Sequence, residues 1–264
     1  MNAWPAGFDM AQANGEVWFG RGLAAEFRDL ALRPAEWGLL ERHRETLGGR
    51  VLELGSGAGR LTVHLGQLAS ELFAVDGSSE MVTLCRDRVP GARIEAGDLQ
   101  DLSGFEPGSF DAVVAGFNMF DVVTHDERRE LLRAVRGKLS PDGRLLFSSH
   151  NRGYEPRFGT AWHLLLGRPR EPVASLLALR QRLANRRRMR ALERHEADYA
   201  ILNDPAHDFA LLHYHITRDA QEAQLAACGY ELLDCRDLDD RPVAAGAAAA
   251  HCPELHYVAR AAVG

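Results

Sequence analysis

The run Val51-Leu-Glu-Leu-Gly-Ser-Gly-Ala-Gly-Arg60 constrains the fold more than any other part of this chain. A short apolar strand, Arg50 to Leu54, feeds directly into glycines at 55, 57 and 59. Glycine there lets the backbone turn sharply and approach a ligand with no Cβ in the way. Leu61, Val63 and Leu65 then begin a helix, and the strand–turn–helix unit repeats. Leu72–Asp76 is a second strand, followed by a helix from Ser79 to about Arg88; Ala92–Ala96 is a third and Phe110–Ala115 a fourth. Thr124-His-Asp-Glu127 is a capping box for a helix with Leu131, Leu132, Val135 and Leu139 at core spacing. Ser140-Pro-Asp-Gly143 reads as a turn, and Arg144–His150 as the fifth strand. Repeated β-α-β units imply a parallel sheet with helices on both faces. Such sheets bind ligands at the carboxyl ends of their strands.

The residues at those ends narrow the ligand. A dinucleotide fold asks for GxGxxG, so that a pyrophosphate can sit on the helix N-terminus. Here the spacing is GxGxG, and Arg60 occupies the third position. Glu53 beside the loop is a poor neighbour for phosphates and a good one for an ammonium group. Asp76, about twenty residues on, can accept from both hydroxyls of a ribose. Met81 is placed to pack on an adenine, and Asp98 of Gly97-Asp98-Leu99 to accept from its amino group. Singly, each has a bland reading: a tight turn, a helix cap, a core methionine. Three in order at three successive strand ends point to one ligand.

Val51 to Asn151 resembles the cofactor domain of class I S-adenosylmethionine-dependent methyltransferases of the small-molecule type. The glycine run is similar to that family's first motif. Val75-Asp-Gly-Ser-Ser-Glu-Met81 resembles the second, with Gly77 where many members carry a larger residue. Gly97-Asp98 resembles the third, and Phe110–Val114 through Phe117-Asn118 the fourth. The resemblance implies a Rossmann-like, seven-stranded, mostly parallel α/β sheet with helices on both faces. Glu231–Cys235 and Glu254–Val258, after a helix from Arg218 to Cys228, would be its last two strands. It implies S-adenosyl-L-methionine as cofactor, with S-adenosyl-L-homocysteine as product. Glu53, Gly55, Ser56 and Gly57 would hold the methionine part, Asp76 and Gly77 the ribose, and Met81, Asp98 and Leu99 the adenine. Phe117 and Asn118 would sit beside the transferred methyl.

The chain divides into three parts: an N-terminal helical cap (1–49), the core (50–151 and 218–264) and an α/β lid insertion after the fifth strand (152–217). The N-terminal segment carries Trp4, Phe8, Trp18 and Phe19 and resembles helices that small-molecule methyltransferases fold over the cofactor. Trp18 and Arg21 are candidates there, Arg21 for the methionine carboxylate. The insertion, ~65 residues, is too long for a structureless loop. Glu171–Glu196 reads as a helix, leucine-lined early (Leu176, Leu177, Leu179, Leu183) and arginine-rich from Arg180 to Arg194. Tyr199–Leu202 and Phe209–Ile216 read as a hairpin around Asn203-Asp-Pro205. The arginines read as a solvated helix face or, more sharply, as a contact for an anionic, peptide or RNA acceptor.

Methyl transfer needs alignment more than side-chain chemistry, with a base only if the nucleophile arrives protonated. His150, His213 and His215 are the candidates, the last two on one strand face by period two. Asn151, Tyr154 and Tyr214 complete the acceptor side. Two histidines on a strand can also bind a metal, but no third ligand stands at a telling spacing, so none is assigned. A nicotinamide oxidoreductase and a non-catalytic cofactor-binding partner are the alternative readings.

A net charge of −6 argues against general nucleic-acid affinity, leaving a small-molecule or peptide-like acceptor. Four cysteines without a CxxC pair make no disulfide framework. With no apolar run of ~20 residues and no signal-like start, the expectation is a cytoplasmic protein without membrane segments. Oligomeric state is left open.

Overall fold

The computed structural model describes residues 4–5, 7–18, 30–155 and 172–262. Strands β1 (Arg50–Leu54), β2 (Glu71–Asp76), β3 (Arg93–Ala96), β4 (Phe110–Ala115) and β5 (Leu139–Asn151) pair in parallel in the order β3-β2-β1-β4-β5. Two further strands, β9 (Tyr230–Arg236) and β10 (Glu254–Ala261), close the core. β10 runs antiparallel between β5 and β9. The result is the seven-stranded Rossmann-like sheet that the sequence implies.

Both faces of this sheet are covered, because side chains alternate along each strand. Val113, Phe147 and Tyr257 join one core with Leu131, Leu132 and Leu225. Their neighbours Val114, Leu146 and Val258 join the other, with Leu39, Leu40 and Leu65. The first core packs α6 (His125–Lys138) and α8 (Arg218–Ala227), and the second α2 (Pro34–Arg42) and α4 (Thr62–Leu68). A short α3 (Arg44–Leu47) leads into β1, and α5 (Ser79–Arg88) joins β2 to β3. Each fully buried Leu or Phe here contributes roughly 1.5–3 kcal/mol. The capping box forms: Thr124 Oγ1 accepts from Glu127 N, and Thr124 N donates to the Glu127 carboxylate.

Three local expectations need correction: the helix expected over Glu171–Glu196 ends at Arg190, and Arg194–His195 is strand. Ser140–Gly143 is not a turn ahead of β5 but part of that strand. The ladder pairs Phe110 with Leu139 and then Ala112 with Arg144, so the four residues bulge without ending the pairing. Phe209 to Leu212 is not strand. His207, Asp208 and Phe209 have left-handed backbone, and the strand begins only at His213.

The insertion extends the same sheet. It contains α7 (Pro172–Arg190), β6 (Arg194–His195), β7 (Tyr199–Leu202) and β8 (His213–Ile216). β8 pairs in parallel with the last two residues of β5, His150 with His215 and Asn151 with Ile216. Pairing of β5 with β4 ends at Phe147, which leaves that edge open for β8. β7 and β8 form the expected antiparallel hairpin. Ile201, Leu212, Tyr214 and Ile216 build a small core with Met189 of α7 and with Met10 of the N-terminal helix α1 (Met10–Trp18). Trp4 Nε1 donates to Leu192 O, a second tie between the N-terminal segment and the insertion. On α7, Arg182 pairs with Asp208 and Arg186 stacks over Phe209, while Arg187, Arg188 and Arg190 are exposed. Leu183, expected on the apolar side, is 48% exposed. No helix among the described residues is long and apolar enough to cross a membrane.

Candidate active site

A cavity of about 690 Å³ opens at the carboxyl ends of β1, β2 and β4. Glu53, Gly55, Ser56, Gly57, Asp76, Gly77, Met81, Asp98, Leu99 and Phe117 all line it. The sequence places these residues tens of positions apart, and the parallel sheet brings them together. On its open side lie Asp9 and, from α1, Gln12, Asn14 and Glu16. The side chain of Trp18 and all of Arg21 lie outside the described residues.

The glycine loop is held by the sheet. Gly55 has φ +76° and its N–H donates to Val75 O at 2.8 Å; a Cβ there would meet Met119 Cγ at 3.0 Å. Gly57, at φ +52°, donates to Asp76 Oδ2 at 2.7 Å, and Ser78 N donates to Asp76 Oδ1 at 2.9 Å. Asp76 therefore fastens the loop to the next helix. Burial pushes its carboxyl up, and the two amides do not fully offset this. Glu53 is 2% exposed, and its Oε2 has no hydrogen-bond partner. Burial drives its carboxyl up to about 8 despite Thr62 and Arg60 nearby. A buried, unpartnered carboxylate oxygen beside a glycine cradle suits a ligand that brings an ammonium. Asp98 is exposed and accepts from Gln100 N at 2.9 Å.

Phe117 and Asn118 are consecutive left-handed residues, φ +56° and +59°. Such non-glycine backbone costs about 1–3 kcal/mol each and gathers at functional sites. Here it is held by Asn118 N donating to Ser148 Oγ at 2.8 Å, and by the guanidiniums of Arg33 and Arg60 over the Phe117 ring. Asn118 itself faces away from the cavity lining. Its amide donates to Glu254 Oε2 at 3.0 Å and reaches His150 Nε2 at 3.3 Å. It thus joins the cavity to a second group of side chains.

That group is built around His150. Its Nδ1 lies 2.7 Å from Asp121 Oδ2, which also accepts from His150 N at 2.6 Å. Asp121 is fully buried and ion-paired with Arg128, which is also fully buried and bonded to Ser149, Gln221 and Gln224. Burial alone would push the Asp121 carboxyl up; Arg128 and His150 outweigh it and hold it below the ordinary range. His150 is shifted upward: burial opposes its charge, but Asp121, Asp204 and Glu254 favour it. The rings of His213 and His215 lie 4.8 and 4.9 Å from that of His150. The three expected histidines therefore do meet. Asp121 was not among the candidates; it follows β4 in an otherwise apolar stretch, and nothing near it in sequence marks it.

Two acceptor-side candidates have other tasks. Asn151 is 1% exposed, and its amide donates to Ala248 O, Ala249 O and Cys252 O while Oδ1 accepts from Gly153 N. It clamps the alanine-rich loop before β10. Tyr214 lies between His213 and His215, so its ring faces the other side of the sheet. There its hydroxyl meets His125 Nδ1 and Gln224 Nε2, and its face receives Arg128. Tyr154 follows β5 and is 37% exposed.

Residues 51–143 match a family described as a methyltransferase domain. A ubiquinone biosynthesis O-methyltransferase of Xanthomonas euvesicatoria pv. vesicatoria is 29% identical over 127 residues, 46% of this chain and 52% of that protein. The chain thus spans about half the length of that relative. The solved structure of the CcbJ methyltransferase from Streptomyces caelestis superposes with a TM-score of 0.60 at 18% identity, covering 93% of this chain and 98% of the other. A Burkholderia thailandensis 1,6-didemethyltoxoflavin-N1-methyltransferase, solved with bound 1,6-didemethyltoxoflavin and S-adenosylhomocysteine, gives 0.60 at 16% identity, covering 99% of this chain and 94% of the other. These two likenesses show a shared fold across nearly the whole chain.

Proposed function

We propose that the chain is a class I, S-adenosylmethionine-dependent methyltransferase acting on a nitrogen or oxygen of a small molecule or peptide-like metabolite; its residues 51–143 match a methyltransferase domain. The observation that carries the reading is the buried Glu53 Oε2, without a partner at the rim of the glycine loop. The ammonium of the methionine moiety supplies that partner. Asp76 takes the ribose hydroxyls, and Met81, Asp98 and Leu99 surround the adenine. The NAD alternative has no comparable use for Glu53, which would face phosphates.

The acceptor lies against His150, beyond Phe117 and Asn118, with the β7–β8 hairpin as its outer wall. An ionised Asp121 at Nδ1 favours the tautomer with its lone pair on Nε2. Nε2 takes the acceptor's proton as the methyl moves in line from sulfur to the nucleophile, and the thioether S-adenosylhomocysteine is left. Positioning and exclusion of water supply the rest of the rate. Named relatives methylate oxygen in one case and nitrogen in another, which supports a small acceptor and leaves its atom open.

Calorimetry tests the cofactor. S-adenosylhomocysteine should bind and NAD should not; comparable NAD affinity would sink the proposal. Asp76→Ala should weaken S-adenosylhomocysteine by about 2–4 kcal/mol, since it loses hydrogen bonds to a charged group. For the acceptor side, His150→Ala should lower kcat roughly 10²–10⁴-fold with cofactor affinity unchanged. A higher KM with little loss of kcat would make His150 a positioning group only.

A further inference from the structure

From sequence alone no third ligand stands beside His213 and His215. The fold supplies two. His150 arrives from the end of β5, and Asp204 from the Asn203-Asp-Pro205 turn after β7. One ligand atom each from His150, Asp204 and His213 lie within 4.8 Å of one another. Asp204 Oδ2 is 2.6 Å from His213 Nδ1, 3.9 Å from His215 Nε2 and 4.0 Å from His150 Nε2.

A plain hydrogen-bond network accounts for only part of this. The Asp204–His213 contact is a hydrogen bond. The other two separations are too long for one. His215 Nε2 is buried with no hydrogen-bond partner. Four ligands at about 2.0–2.1 Å from a tetrahedral ion lie roughly 3.3 Å apart. The Asp204 carboxylate stands 2.6 to 4.0 Å from the histidine nitrogens, and the His150, Asp204 and His213 atoms lie within 4.8 Å of one another, a spread that brackets that value. His150 has the expected outer support: its Nδ1 is fixed by the carboxylate of Asp121, which leaves Nε2 toward Asp204. Asn118 Nδ2, at 3.3 Å, is the described side chain that competes for that nitrogen.

We propose that His150, Asp204, His213 and His215 bind one divalent transition-metal ion of the zinc class. Three imidazoles and one carboxylate suit Zn²⁺, Fe²⁺ or Co²⁺, whereas Mg²⁺ and Ca²⁺ take oxygen ligands. Binding of the ion is independent of the methyltransferase reading; that it faces the methyl acceptor rests on that reading. An ion on His150 Nε2 occupies the lone pair that otherwise serves as the base. With four protein ligands the shell is filled, so the loaded protein holds a closed ion where the metal-free protein presents an imidazole.

The test uses the full chain, stripped with a chelator and titrated with Zn²⁺ by calorimetry and with Co²⁺ as an optical reporter. One ion per chain and a four-coordinate Co²⁺ spectrum are expected. Asp204→Asn, His213→Gln and His215→Gln should each weaken binding at least tenfold, while His195→Gln, on an exposed side chain of β6, leaves it unchanged. Absence of stoichiometric binding in the wild type overturns the proposal, as does binding that none of the three substitutions weakens. Should the substitutions unfold the chain, the wild-type stoichiometry and Co²⁺ spectrum decide alone. S-adenosylhomocysteine binding is measured on the same samples. Its loss with metal binding intact refutes the methyltransferase reading and leaves the metal site standing; the converse refutes only the metal site.

Discussion

At the scale of single residues, Glu53 shows how burial sets chemistry. In the unliganded protein its carboxyl, raised from an ordinary 4.5 to about 8, stays mostly protonated near pH 7. An acid raised on folding stabilises the native state fully below the ordinary value, and this contribution is lost as pH climbs toward 8. An incoming ammonium favours the ionised form, so binding at pH 7 should expel a proton. Affinity should rise with pH between about 4.5 and 8 and flatten above. In calorimetry across buffers of different ionisation enthalpy, S-adenosylhomocysteine should release up to one proton per site, and none in Glu53→Gln. Proton release that persists in Glu53→Gln assigns it to another group. Glu53 was legible because a motif and a strand end locate it. Asp121 was not, because the sheet rather than its sequence neighbours delivers it to His150. Tyr214 was misplaced for a simpler reason. A strand that turns His213 and His215 to one face must turn the residue between them to the other.

At the scale of elements, the strands and helices with strong periodicity stood where their patterns put them, including α5 and the capped start of α6. The Ser140–Gly143 bulge and the left-handed run at 207–209 were not legible, since both depend on partners distant in sequence. The pairing of β8 with the tip of β5 was hidden for the same reason: only the early end of the β4 ladder makes room for it. Beside the packing of Met10, one side chain of α1 makes the polar joint to the insertion. Asn14 Nδ2 donates to Val122 O at 2.9 Å and Leu212 O at 2.8 Å, and Leu212 N donates to Asn14 Oδ1 at 3.2 Å. Asn14→Ala strands these buried backbone groups at a cost of about 1–3 kcal/mol. Because α1 lines the cavity, S-adenosylhomocysteine affinity should fall as well. Thermal melts with and without S-adenosylhomocysteine report both losses. A variant that melts and binds like wild type would mean that α1 is held elsewhere.

At the scale of the whole molecule, one ten-stranded sheet runs through core and insertion, and the four cysteines sample it at separated points. Cys85 lies on α5, Cys228 after α8, Cys235 on β9 and Cys252 before β10; all are free and buried. Burial lifts the Cys85 thiol to about 11 and Cys235 to about 12, so both resist forming the reactive thiolate. A thiol reagent should therefore leave the native protein unlabelled and, as urea rises, label all four in a single transition. Early release of one thiol would show that its part of the sheet opens independently. Asn14 has a further consequence, in time rather than energy. Its bond to Leu212 closes a span of 198 residues, and its bond to Val122 one of 108. Contacts of such separation are paid for in chain entropy before they yield anything. This corner therefore assembles after β4, β5 and β8 have found one another. During refolding, the α1 side of the cavity mouth should close late.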